Sequence, residues 1–300
     1  MLRMLGSSAS GQVFAILEKC MLDTLGHIGD LIESSECVPW TDMRHSPDQP
    51  APVPSSRLTR IGVFPIAANP LHWAHLIGGL IATKSFGLDK VIYVIAGDDP
   101  RKPFMASAKI RYQIARSVLR QFHPLFECSS IAQGGAACGE ESLFRLLALN
   151  PGQRIHAFYI AGSDHAYRED PGSGRPDTIQ KLENGVADCL RGSEKPPHTV
   201  SVVFLGRNGQ RERKIETDLD VRWLKGPPVH TSSTAIRTAL PDPAQWVKLS
   251  ALPFAVFSSI RKNHLYQVCG RNAYPTPRRG RAFSAKGPKL RSGEWSRVTP

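Results

Sequence analysis

The sequence holds no C-x-x-C pair. Its six cysteines, at positions 20, 37, 128, 138, 189 and 269, follow no regular spacing. Neither a disulfide framework nor a zinc site is indicated, no metal-ligating set stands out, and a reducing, cytoplasmic setting is expected. No apolar run approaches the roughly 20 residues of a membrane span. The N-terminus also lacks a charged segment leading into a continuous apolar core, so a protein away from the membrane is expected. Carboxylates are scarce: 26 Asp and Glu stand against 38 Lys and Arg, for a formal net charge of +12. The deficit is uneven, because residues 1–59 carry 4 basic and 7 acidic residues, residues 60–269 carry 26 and 18, and residues 270–300 carry 8 and 1. A central piece that is basic on its own suits an anionic substrate such as a nucleotide. A basic tail suits any polyanion, or solubility alone.

What is present divides the chain into four. In residues 1–36, Val13, Ile16, Leu17, Cys20, Met21, Leu25 and Ile28 recur at helical spacing, which predicts an amphipathic helical extension, packed on the main domain or offered to a partner. Residues 37–59 contain five prolines and no periodicity, the composition of a linker. From 60 to 269, apolar runs alternate with helical stretches. Strands are expected at Ile61–Phe64, Lys90–Ile95, Phe126–Ser129, Arg154–Ile160, Val200–Leu205 and Val221–Leu224. Helices are expected over Leu71–Ser85, Lys109–Gln121, Glu140–Leu149, Thr178–Leu190, Ser233–Ala239 and Pro253–Tyr266. This alternation predicts the α/β class, a doubly wound, Rossmann-like parallel sheet with helices on both faces. Residues 270–300 are rich in Arg, Pro, Gly and Ser, and such a tail is expected to be disordered.

Ligands of open α/β sheets bind beyond the carboxyl ends of the strands, and two clusters fall there. After the first strand, Asn69-Pro70 leads to His72 and His75, three residues apart on the first turn of a helix beside its unpaired N–H groups. Two imidazoles and helix N–H groups can donate to phosphate oxygens. Two histidines satisfied inside a packed helix is the plainer reading of this short pattern taken alone. In the second cluster, Pro227-Pro228 leads into His230, Thr231, Ser232, Ser233, Thr234 and Arg237. A capping serine accounts for one hydroxyl, whereas four in a row with an Arg one turn on suit a polyphosphate.

Together the clusters resemble the nucleotidyltransferase superfamily that shares the H-x-G-H motif with class I aminoacyl-tRNA synthetases. Within it they are most similar to nicotinate and nicotinamide mononucleotide adenylyltransferases. The motif G-x-F-[DN]-P-x-H-x-G-H appears as Gly62-Val63-Phe64, then Asn69-Pro70-Leu71-His72-Trp73-Ala74-His75, and I-S-S-T-x-[IL]-R appears as Thr231 to Arg237. Gly162-Ser163-Asp164 is similar to the family's G-[AS]-D beside the ribose. Two departures stand out: four residues separate Phe64 from Asn69, and Ala74 replaces a glycine.

The resemblance implies transfer of AMP from ATP to the 5′-phosphate of nicotinate or nicotinamide mononucleotide, with Mg²⁺ carried mainly by the ATP phosphates. It implies catalytic roles for His72, His75, Lys102 and Arg237. Nucleotide contacts would come from Gly62, Val63, Phe64, Asn69, Gly162, Ser163, Asp164, Arg207, Ser232, Ser233 and Thr234, and acceptor contacts from Arg101 and Tyr167. The partners are then ATP and a mononucleotide; no membrane or nucleic-acid partner is expected, and homo-oligomerisation stays open. A sibling transferase acting on phosphopantetheine, FMN or a phospho-alcohol is the first alternative. A non-catalytic nucleotide- or nucleic-acid-binding protein is the second.

Overall fold

Apolar runs short enough for strands, bounded by turns and interleaved with amphipathic helices, leave the chain one economical solution: a sheet covered on both faces. The computed structural model describes residues 43–50, 52–99, 102, 104–133, 139–169, 174–190, 198–206, 212–226, 232–241, 249 and 251–266. Its elements run β1 (Ser55–Ile66), α1 (Trp73–Phe86), β2 (Lys90–Ile95), α2 (Ala108–Leu119), β3 (Phe126–Ser129), α3 (Gly139–Ala148), β4 (Gln153–Gly162), α4 (Asp164–Tyr167), α5 (Asp177–Leu190), β5 (His198–Leu205), β6 (Asp220–Leu224), α6 (Ser233–Ala239) and α7 (Phe254–Lys262). The expected helical extension at 1–36 and the basic tail at 270–300 lie outside the described residues. Among the described residues no helix is long and apolar enough to cross a membrane.

All six strands are parallel, in the order β3-β2-β1-β4-β5-β6. This is the doubly wound order, with its switch point between β1 and β4. Strand alternation sorts the side chains into two cores. Phe64, Tyr93, Ile95, Phe158 and Ile160 pack under α1, α2, α6 and α7, while Ile61, Val63, Val94, Ala157 and Phe204 pack under α3 and α5.

Two expectations need correction. The linker reading fails over 43–59: Met43 is buried, the buried Asn150 side chain accepts from the Arg44 N–H at 2.9 Å and donates to its carbonyl at 2.7 Å, and β1 begins at Ser55. Residues 55–60 alternate in exposure along one edge of the sequence pattern, so they carry no continuous apolar signal and are held as strand by pairing with β4. At its other end β1 runs on through Ile66 beside β2, although its ladder with β4 stops at Val63 and Tyr159. Pro65, which cannot donate a backbone hydrogen bond, sits just past that stop. Beyond it β1 and β4 no longer pair, so the ladder opens at the switch point, where ligands of such sheets bind.

Candidate active site

The turn from β1 into α1 lies at this opening. Ala68 takes φ 48 and Asn69-Pro70 is cis, and His72 is the N-cap of α1 rather than part of it. The His72 N–H donates to His75 Nδ1 at 3.2 Å, and the His75 N–H donates to the His72 carbonyl at 3.0 Å. Because Nδ1 accepts, the His75 ring carries its proton on Nε2, the nitrogen left to act as donor. The two imidazoles stack with centroids 3.8 Å apart, and Phe64 stands edge-on to His75 at 6.5 Å. Beneath them the Tyr93 hydroxyl donates to the His75 carbonyl at 3.1 Å. The expected pair is thus a fixed unit at the helix start.

The second cluster meets the same turn from 163 and more residues away. The Ser233 hydroxyl donates to the Pro70 carbonyl at 3.0 Å, and Arg237 Nη1 donates to the Asn69 carbonyl at 2.6 Å. Arg237 Nη2 also donates to Thr234 Oγ1 at 3.1 Å. Ser232 caps α6, accepting from the Ala235 N–H at 3.1 Å. The roles therefore divide: Ser233 has its one proton committed to Pro70 and braces the turn, Ser232 caps, and Thr234, exposed, keeps a proton to donate.

Asn69 joins further parts. Its side-chain oxygen accepts from the Ala106 N–H at 3.2 Å and from the Tyr266 hydroxyl at 2.6 Å. Arg111, 1% exposed on its side chain, donates to the Ala67 and Gly97 carbonyls in the loops that end β1 and β2. Burial pushes its pKa down, and the hydrogen bond to Asp98 pulls it back. Sequence reasoning missed both Arg111 and Tyr266. A signal for Arg111 existed, since it stands in the buried stripe of α2 with Ala108, Ile114, Ala115 and Val118. None existed for Tyr266, which bends back at φ 58 after α7.

Burial pushes the Tyr266 phenol up to about 12, against a smaller opposing effect of Arg237 and Arg111. With an ordinary value of 10.0 in the unfolded chain, its contribution to stability is complete below pH 10, declines above it and is lost as pH rises through about 12. Tyr93, fully buried, is raised likewise. Urea midpoints measured from pH 8 to pH 12 are expected to fall above pH 10, and Tyr266→Phe is expected to remove one share of that fall.

Other expected residues are placed less centrally. Gly62, Val63 and Phe64 serve the cores: Val63 and Phe64 are buried, and a Cβ at Gly62 would come 2.9 Å from Ile160 Cδ1. Packing accounts for the side chains of Val63 and Phe64 and for the lack of one at Gly62. Gly162 ends β4 at the switch point; Ser163 is fully buried with its N–H on the Leu205 carbonyl at 2.8 Å. Asp164, half-buried, opens α4 there. Tyr167 is exposed, with the Arg213 guanidinium 5.6 Å over its ring. Lys102 is exposed, its Nζ 3.7 Å from the Asp99 carboxylate. Arg101, Arg207 and Thr231 lie outside the described residues. The four residues between Phe64 and Asn69 are two of strand and two of turn. Ala74 is half-buried in the first turn of α1.

No family profile matches the chain. It is 29% identical over 213 residues to a probable nicotinate-nucleotide adenylyltransferase of Thermus thermophilus, covering 69% of this chain and the whole of that one. A protein of the same description from Synechococcus is 28% identical over 218 residues, 71% of this chain and 97% of the relative. The solved structure of Plasmodium falciparum nicotinic acid mononucleotide adenylyltransferase complexed with NaAD superposes with a TM-score of 0.49 at 13% identity, covering 69% of this chain and 97% of that one. Over about 70% of its length the chain is thus similar to curated nicotinate-nucleotide adenylyltransferases, along nearly the whole of each of these two relatives.

Proposed function

We propose that the protein transfers AMP from ATP to the 5′-phosphate of nicotinate mononucleotide, forming the dinucleotide and releasing pyrophosphate. The observation that carries this reading is the union of the two motifs: Ser233 and Arg237 are bonded to the Pro70 and Asn69 carbonyls that lead into His72 and His75. The similarity to adenylyltransferases along their full length supports it. In this reading the acceptor phosphate attacks the α-phosphorus of ATP in line, with no side-chain nucleophile, and the protein orients reactants and offsets charge. His75 Nε2 donates to the α-phosphate as charge builds, His72 meets the phosphate chain, and Thr234 and Arg237 meet the β- and γ-phosphates. Asp164 takes the ribose, and Lys102 closes on the acceptor or triphosphate from the loop after β2. Among the described residues no three His, Cys, Asp or Glu side chains are placed to hold a metal. Magnesium fits this site as part of MgATP, held by phosphate oxygens and water.

Pyrophosphate release measured with ATP and a panel of acceptors tests the reading. Nicotinate mononucleotide is expected to give the highest kcat/KM, ahead of nicotinamide mononucleotide, phosphopantetheine and FMN. Preference for either of the last two would make the chain a sibling transferase. Ala74, where similar enzymes carry glycine, favours one other reading, a nucleotide sensor. That reading requires ATP to bind with no pyrophosphate released for any acceptor.

A further inference from the structure

Arg111 heads the described side chains that are fully buried, ranked by size, and it is the one among them that carries a charge. Burying a guanidinium where an apolar residue would fill the space is costly unless its donors are matched. Here they are matched to protein oxygens only. Nη1 donates to the Ala67 carbonyl at 2.6 Å, Nε to the Ala106 carbonyl at 2.6 Å, and Nη2 to the Gly97 carbonyl at 2.9 Å and the Asp98 carboxylate at 3.3 Å. The partners come from three places: the turn after β1, the loop after β2, and the approach to α2. The Ala106 N–H then reaches the Asn69 side chain, and Asn69 receives Arg237. Between Ala67 and Asn69 stands Ala68 at φ 48, a left-handed conformation that a residue with a Cβ keeps only when its surroundings hold it.

Resting on the adenylyl-transfer reading, we infer that Arg111 is a positioning residue for that reaction. It holds the histidine-bearing turn at 67–72 and residues 97, 98 and 106, on either side of Lys102 in the chain, at one fixed spacing, without touching substrate. A lysine cannot reproduce this, because an ammonium is a single point where the guanidinium is a rigid fork that reaches three carbonyls at once. In-line transfer is sensitive to such spacing, since a displacement of about 1 Å costs on the order of a hundredfold in rate.

The test uses the full chain with Arg111→Met and Arg111→Lys, the latter serving where the former does not fold. It reads kcat per folded molecule well below the unfolding temperature, the KM for ATP, and amide hydrogen exchange. The expected result is a ten- to hundredfold lower kcat in both variants, a KM for ATP within about threefold of wild type, and faster exchange confined to residues 67–69 and 96–106. Wild-type kcat in Arg111→Lys or Arg111→Met, or unchanged exchange in both loops, overturns the inference. Wild-type protein run alongside separates the two claims. Absence of turnover there refutes the proposed reaction and leaves hydrogen exchange to decide the role of Arg111.

Discussion

His75→Ala is expected to lower kcat at least about a hundredfold with ATP and acceptor saturating. The residue is held at several points: its Nδ1 by the His72 N–H, its ring by stacking on His72 at 3.8 Å and a T-shaped contact with Phe64, and its backbone carbonyl by Tyr93. A donor fixed this way pays no reorganisation when charge builds on the α-phosphorus. Losing one such donor costs about 3 to 4 kcal/mol of transition-state stabilisation, or a hundred- to a thousandfold in rate. The alanine chain should still bind ATP within a few-fold of wild type, because Thr234 and Arg237 remain. His75→Gln, which restores an N–H donor on a more mobile side chain, should recover part of the loss. Full activity in His75→Ala would remove the residue from the chemistry.

Gly79→Ala is expected to lower stability by about 2 kcal/mol and activity along with it. On an exposed helix the change would be stabilising by roughly 1 kcal/mol. Here the new Cβ would fall 2.0 Å from the Tyr93 hydroxyl and 3.3 Å from Phe126 Cζ, inside a core where every neighbour is fixed. Overpacking of this kind costs about 1 to 3 kcal/mol. It also drives the Tyr93 hydroxyl off the His75 carbonyl, at about 1 kcal/mol more. For a domain of this size the thermal midpoint should drop by about 4 to 8 °C. Tyr93→Phe combined with Gly79→Ala should cost less than the two single losses added, because removing the hydroxyl opens the space the methyl needs. Additive losses would show that the clash is relieved elsewhere.

Elements that decide their own conformation were legible in the sequence. Lys90–Ile95, Phe126–Ser129 and Ser233–Ala239 fall where their apolar runs and capping serine put them, because both faces of the strands are buried and turns bound them. β1 was legible only in its middle. Its first five residues look like linker because their exposure alternates and leaves no continuous apolar run, and its last two look like loop because proline is read as a stop. Pairing with β4 and β2 decides both ends. The site shows the same split. His72, His75, Thr234 and Arg237 announce themselves through side-chain chemistry at fixed spacing. Arg111 and Tyr266 act on oxygens that only the tertiary fold brings within reach, so nothing in their local sequence names their partners. Ser233 shows a further limit: only the tertiary fold brings its hydroxyl onto the Pro70 carbonyl.

The central claim is that these two motifs form one site for adenylyl transfer. Purified protein supplied with MgATP labelled at the α-phosphorus and with nicotinate mononucleotide tests it directly. The label is predicted to appear in the dinucleotide, with one unlabelled pyrophosphate released per dinucleotide formed. Label that stays in ATP, or that appears only as free AMP, would contradict the account.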